Sequence, residues 1–129
     1  MRKKEPDTKT TIGFLSKIIN QALKSGADSA DALSIQTVGV KASQRLQKKE
    51  DFERSESNSF GLRVFVGKRN AIVSSSDIGE ESIDQLVPRA IAMANAAPDD
   101  PYSQLAENNM IARNWPELDL EDDETPSST

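Results

Sequence analysis

No cysteine and no histidine occur among the 129 residues of this chain. Zinc sites are built chiefly from Cys and His, and serine or cysteine nucleophiles usually rely on a His base. The two absences remove most of the usual metal and nucleophile chemistry and leave hard-metal binding by carboxylates as an open possibility. The lack of cysteine also fits a reducing compartment without requiring one.

Long apolar runs are missing as well. Met1-Arg2-Lys3-Lys4 has the charge of a signal-peptide start, yet Glu5, Pro6 and Asp7 follow in place of an apolar stretch. The first apolar cluster, from Ile12 to Leu23, is interrupted by Ser16, Lys17, Asn20 and Gln21. Neither a signal peptide nor a membrane span is expected, and the cytoplasm is the expected location. A surplus of basic charge is lacking too. Residues 117–129 hold six acids and no base, so residues 1–116 balance 16 bases against 15 acids. That near-neutral body carries no basic footprint for nucleic acid.

What is present suits one small domain. The chain is 36% apolar and 29% charged, which supports a modest core with solvated ends. Ile12, Leu15, Ile19, Ala22 and Leu23 recur at helical spacing, with Phe14 and Ile18 widening the stripe. A helix is predicted over about residues 11–25, capped by Thr10 or Thr11 and closed at Gly26. Leu33 and Ile35 then alternate with polar residues, as do Val38, Val40 and Ala42, with a phase slip near Gly39 that predicts a turn or bulge between two strands. Residues 44–59 are dense in charge and read as a solvated strand continuation plus loop.

Leu62, Val64 and Val66 fall on one strand face and Arg63 and Phe65 on the other. Gly67-Lys68-Arg69-Asn70 reads as a turn, with Ala71, Ile72 and Val73 starting the return strand. Asp77 and Glu80 form a capping-box-like pair before a second helix. Its stripe is Ile83, Leu86, Val87, Ala90, Met93, Ala94 and Ala97, interrupted by Pro88, and Ala96-Ala97-Pro98 ends it. From Asp99 onward no period is sustained. Thr125-Pro126 has N-cap and first-turn chemistry; both truncation and a disordered tail would account for it.

Several stretches invite a functional reading. Gly67-Lys68 resembles a phosphate loop, but five residues separate Gly61 from Gly67 where the motif needs four, and Arg69 stands where a Ser or Thr should hold magnesium. A hairpin turn accounts for it. Ser74-Ser75-Ser76 could supply a nucleophile with Lys68 as base, but no oxyanion loop or oriented base is visible, and a strand end running into a helix cap, where serines satisfy free backbone N–H groups, is the favoured reading. Glu117–Glu124 lacks the spaced oxygens and central glycine of a calcium loop. Arg45, Lys48, Lys49 and Arg54 are interleaved with Glu50, Asp51, Glu53 and Glu56, a mixed solvated surface. Trp115 before Pro116 is an aromatic anchor, for another domain or for a satellite cluster under a loop. None of these residues is assigned as catalytic, cofactor-binding or metal-ligating.

The wording of the chain resembles the N-terminal domain of the TldD/PmbA family, the modulators of DNA gyrase. The resemblance is carried by Gly26-Ala27-Asp28 and by Gly61-Leu62-Arg63-Val64-Phe65-Val66-Gly67-Lys68-Arg69. It continues through Ala71, Ser74-Ser75-Ser76-Asp77, Ala90-Ile91-Ala92-Met93-Ala94, Ala97-Pro98-Asp99-Asp100-Pro101-Tyr102 and Leu118-Asp119-Leu120. It extends from about Ile12 to Leu120 and is closer to the PmbA (TldE) branch. Pro88 and the missing Arg-x-Gly turn in residues 44–49 depart from the family pattern.

The resemblance implies a longer parent subunit working in a heteromeric, zinc-dependent metalloprotease that cleaves unfolded or small peptides. Its HExxxH motif belongs to the C-terminal domain of TldD-type subunits, so zinc is expected there and no cofactor is expected in this chain. Partners implied are a TldD-type subunit and, in the assembled complex, a peptide substrate; neither nucleic acid nor a membrane is implied. The expected fold is α+β, an antiparallel sheet of about four strands with two helices on one face, followed by an irregular acidic linker. The expected layout is a flexible leader over residues 1–11, an N-terminal α/β domain over 12–100 and a linker over 101–129 toward a C-terminal domain. The implied function is assembly and substrate enclosure in a peptidase subunit. The alternatives are a free-standing protein-binding module and an independent hydrolase using Ser74–Ser76.

Overall fold

The computed structural model describes residues 7–120, 122 and 124. The expectations for residues 1–6 and for Thr125-Pro126 lie outside the described residues. The elements run α1 (Thr8–Lys24), β1 (Ser29–Arg45), β2 (Lys48–Val66), β3 (Arg69–Ser75) and α2 (Glu80–Ala96), then a short 3₁₀ turn at Asn108–Met110. The fold is α+β, but the strands number three, in the order β1-β2-β3. The phase slip near Gly39 does not divide β1, which continues as one 17-residue strand. Residues 48–59, expected to include a loop, belong to β2.

The reason lies at Leu46-Gln47. These two residues, between β1 and β2, have φ of 51° and 61°, the left-handed pair of a type I′ turn, which twists in the same sense as the strands it joins. A two-residue connection leaves no room for a loop. Its usual Asn-Gly signature is missing, so the sequence gives no turn signal there.

The chain divides into two compact units. The first takes the chain up to Ile35 together with Asn58–Leu105 and contains α1, β3, α2 and the adjoining parts of β1 and β2. The second takes Gln36–Ser57 and the chain from Ala106 onward.

In the first unit β2 and β3 pair antiparallel, with Leu62 opposite Val73 and Val64 opposite Ala71. Directly opposed residues share a face, so these four line one side of the sheet, and all are buried. Against them pack Ile18 and Ala22 of α1 and Ile83, Leu86, Val87, Ala90 and Ala94 of α2. Phe14 meets Phe60 edge to face at 5.2 Å between ring centres. The inward side of α1 is centred on Phe14, Leu15, Ile18 and Ala22, while Ile12 and Leu23, expected in the stripe, are exposed. Lys17 and Gln21 of α1 reach Glu80 and Asp84 of α2, at 2.6 and 2.7 Å.

Both helix starts differ from expectation. Helix α1 begins three residues early, because Asp7 rather than a threonine is the N-cap; its carboxylate accepts from the Thr10 amide at 3.3 Å and from the Thr10 hydroxyl. That places residues 8–11 of the expected leader in the helix. In α2 the N-cap is Gly79, and Glu80 does not close a capping box; it pairs with Lys17. Asp77 stands two residues before that cap and accepts from the Gly79 amide at 2.8 Å and from the Ser82 hydroxyl. Helix α2 runs through Pro88, whose exposed position leaves the unpaired carbonyl one turn back to solvent.

Candidate functional site

The turn between β2 and β3 is Gly67-Lys68, since β2 ends at Val66 and β3 opens at Arg69. Gly67 has φ of 60°, and a glycine in the first of two turn positions is the pattern of a type II′ hairpin turn. Around it the backbone of three separate stretches comes together. The Gly67 amide donates to Asp28 Oδ2 at 2.7 Å, while the Asp28 amide donates to the Phe65 carbonyl at 2.8 Å. On the other side, the Asp100 amide donates to the Lys68 carbonyl at 2.8 Å. Lys68 Nζ reaches Gln104 Oε1 at 3.2 Å, and Asn70 Nδ2 donates to the buried Ser103 hydroxyl at 2.6 Å.

Arg69 closes the helix. Its Nη1 donates to the Asn95 carbonyl at 2.7 Å, placing a guanidinium where the last turn of α2 gathers negative partial charge. Its Nε is buried and makes no hydrogen bond, but it lies 3.4 Å from Asp99 Oδ1. That ion pair offsets the lost solvation. The turn, the α1–β1 connection and the segment after α2 are thereby tied at one end of the sheet.

This geometry decides the phosphate question on physical grounds. A phosphate cradle needs free amides and a free lysine. Here the Gly67 amide is occupied by a carboxylate, which would repel an anion, and Lys68 is engaged by Gln104.

Nor does the structure assemble a serine site. Ser75 Oγ accepts from the Asp77 amide at 2.9 Å and donates to the Asp77 carbonyl at 3.3 Å, local bonding at a strand end. Ser74 pairs with Gly61 in the ladder, five residues along β3 from Arg69, roughly 17 Å at about 3.4 Å per residue. Lys68 cannot serve it as a base. Asp77 itself is held below the usual carboxylate range, first by the Ser82 hydroxyl and then by the Gly79 amide.

The remaining candidates fall in the second unit. Arg54 pairs with Glu56 at 2.8 Å, Arg45 approaches Glu50 at 4.0 Å, and Lys49 lies 5.4 Å from the centre of the Phe52 ring. Trp115 is 76% exposed. Among the described residues no three His, Cys, Asp or Glu side chains are grouped to hold a metal. Among the described residues no helix is long and apolar enough to cross a membrane.

Sequence reasoning missed the joining role of Asp28 and Ser103. The signal lay in the stretches that carry the resemblance, because Gly26-Ala27-Asp28, Gly67-Lys68-Arg69 and Ala97-Pro98-Asp99-Asp100-Pro101-Tyr102 are the ones that meet.

Residues 30–94 match the family model described as PmbA/TldA metallopeptidase domain 1. The chain is 28% identical over 120 residues to a Metalloprotease PmbA homolog of Haemophilus influenzae, covering 93% of this chain and 26% of that protein. It is 26% identical over 110 residues to Metalloprotease PmbA of Escherichia coli O157:H7, covering 83% of this chain and 24% of that protein. The crystal structure of TldE from Thermococcus kodakarensis has the same fold, with a TM-score of 0.67 at 17% identity over 82% of this chain and 24% of TldE. The chain thus spans about a quarter of the length of the curated relatives it matches.

Proposed function

Because the chain belongs to the PmbA/TldD metallopeptidase family, as its first domain and on the PmbA side, we propose that it serves assembly and substrate enclosure in a peptidase subunit rather than bond cleavage. Its partner is a TldD-type subunit, and the peptide is held by the assembled pair in the cytoplasm. Zinc, where the complex uses it, belongs to the C-terminal domain of that partner.

One observation supports this reading above the others. The residues that carry the family wording around Gly67 are engaged in fixing the backbone, through Asp28, Asp100, Asn95 and Ser103. Here the residues that carry the resemblance build a scaffold. An extended peptide can add to a sheet edge through its main chain, and both β1 and β3 are outer strands.

The test is complementation. A cell lacking the PmbA-type subunit is supplied with the gene that encodes this chain, intact or with the codons for residues 7–105 removed, and peptide cleavage is followed together with capture of the TldD-type subunit. Loss of both on deletion supports the assembly role. Retention of subunit pairing and cleavage by the deleted form would overturn it.

A further inference from the structure

Strand β3 is an outer strand, and half of its main chain faces away from β2. The two-residue turn makes Val66 and Arg69 a hydrogen-bonded pair, and such pairs recur at every second position of an antiparallel ladder. Arg69, Ala71, Val73 and Ser75 therefore bond inward. Asn70, Ile72 and Ser74 turn their amides and carbonyls outward, and among the described residues no backbone group bonds to those of Ile72 or Ser74 from outside.

The edge lacks the usual guards. Its register runs from Phe60–Ser75 to Val66–Arg69 without a bulge, and residues 70–76 hold neither a charge nor a proline. Bulges, charges and prolines are what keep an outer strand from pairing. The other outer strand, β1, carries Asp31, Lys41 and Arg45. One step before β3, the Lys68 carbonyl already takes the Asp100 amide at 2.8 Å, so this side of the hairpin accepts main chain from a crossing segment.

Apolar side chains flank the edge on both faces of the sheet. Ile72 stands opposite Arg63, on the face away from the helices, and is exposed. On the helix face, α2 packs against β3. Glu80 and Asp84 of α2 turn toward α1. At about 100° per residue, Met93 falls on the other flank of that helix, half-exposed over the β3 edge. A strand laid along β3 would send alternate side chains toward Ile72 and toward Met93, and methionine adapts to neighbours of varied shape.

We infer that the outer edge of β3, at Ile72 and Ser74, binds an extended segment of an unfolded peptide with adjacent apolar residues, which rests on the reading that this domain helps to enclose a peptide. Main-chain pairing supplies binding without regard to sequence, and Ile72 and Met93 supply the preference for apolar side chains.

Amide exchange followed by NMR on the 129-residue chain tests this, with the capped peptide Lys-Thr-Val-Ile-Val-Thr-Lys as the probe. Exchange at Ile72 and Ser74 is expected to slow several-fold when the peptide is added. The same peptide methylated on its Val-Ile-Val main-chain nitrogens should give no protection. Ile72→Pro removes an outward amide that an edge strand can spare, and Ile72→Lys guards the edge with a charge; each should weaken binding several-fold. Protection confined to β1, or equal protection by the methylated peptide, would overturn the inference. Protection of Ile72 and Ser74 that rises with protein concentration in the absence of peptide would make a second copy the occupant and overturn it too. In the complementation assay, Ile72→Lys should keep capture of the TldD-type subunit and lower peptide cleavage. Capture and cleavage both unchanged would overturn the β3 edge and leave the assembly role standing.

Discussion

Arg63 on β2 and Asp31 on β1 form a two-pronged ion pair, with Nε to Oδ1 at 2.9 Å and Nη2 to Oδ2 at 2.5 Å. The guanidinium also lies 5.1 Å from the centre of the Phe65 ring. Arg63 and Phe65 stand on the sheet face opposite Leu62 and Val64, and this pair ties the outer strand to the centre of the sheet on that face. Both side chains are about two-fifths exposed, which limits the energy. A double-mutant cycle with Arg63→Met and Asp31→Asn should give a coupling of about 0.5–1 kcal/mol, falling as salt is added. A coupling of zero at low salt would contradict the pairing.

Two glycines should resist alanine. Gly67 at φ 60°, in the first position of the II′ turn, has a backbone that a side chain enters only with strain, although a Cβ there meets nothing within 4 Å. Gly26 at φ 112° lies in a region essentially reserved for glycine. Gly67→Ala and Gly26→Ala are each expected to cost about 1–3 kcal/mol. Urea unfolding would check this, and a variant as stable as the parent would refute the positive-φ backbone at its position.

The opposite change should stabilise the hairpin end. Replacing Leu46-Gln47 by Asn-Gly relieves two left-handed residues without touching the core, with an expected gain of about 1 kcal/mol. A thermal midpoint unchanged or lowered would show that the turn is not of the type I′ form.

Acid should remove one contribution at the start of α2. The Asp77 carboxyl is held below its usual value of 3.8 by the Ser82 hydroxyl and the Gly79 amide. A lowered folded-state pKa stabilises the fold above the unfolded value, and the gain is lost as pH falls through the folded one. The difference in thermal midpoint between the parent and Asp77→Asn should therefore be largest near neutrality and shrink below about pH 4. A difference that persists unchanged in acid would assign the effect to something other than ionisation.

How far the sequence could be read depended on what each residue was answering to. Both helices and the Leu62–Val66 strand were legible because one-sided burial imposes a period, and the observed core keeps it at Leu62, Val64, Leu86 and Val87. The β1–β2 hairpin was not, since its residues from 36 onward are almost all exposed or half-exposed and burial imposes no pattern there. The Leu46-Gln47 turn also departs from local preference. Helix starts were off by two or three residues because Asp7 and Gly79 took the caps from nearby threonines and Asp77. At the candidate site, the turn could be told from a phosphate loop by spacing alone. Its attachment to Asp28, Asp100 and Ser103 depends on contacts more than 30 residues apart, which no local pattern records.

The claim that this domain carries assembly contacts is tested most directly by the mass of a mixture. The purified chain and the TldD-type subunit of the same organism would be combined and passed through size exclusion with light scattering. A single species whose mass is a sum of the two is the predicted result. Two species at their separate masses, across the concentrations where both stay folded, would contradict the claim.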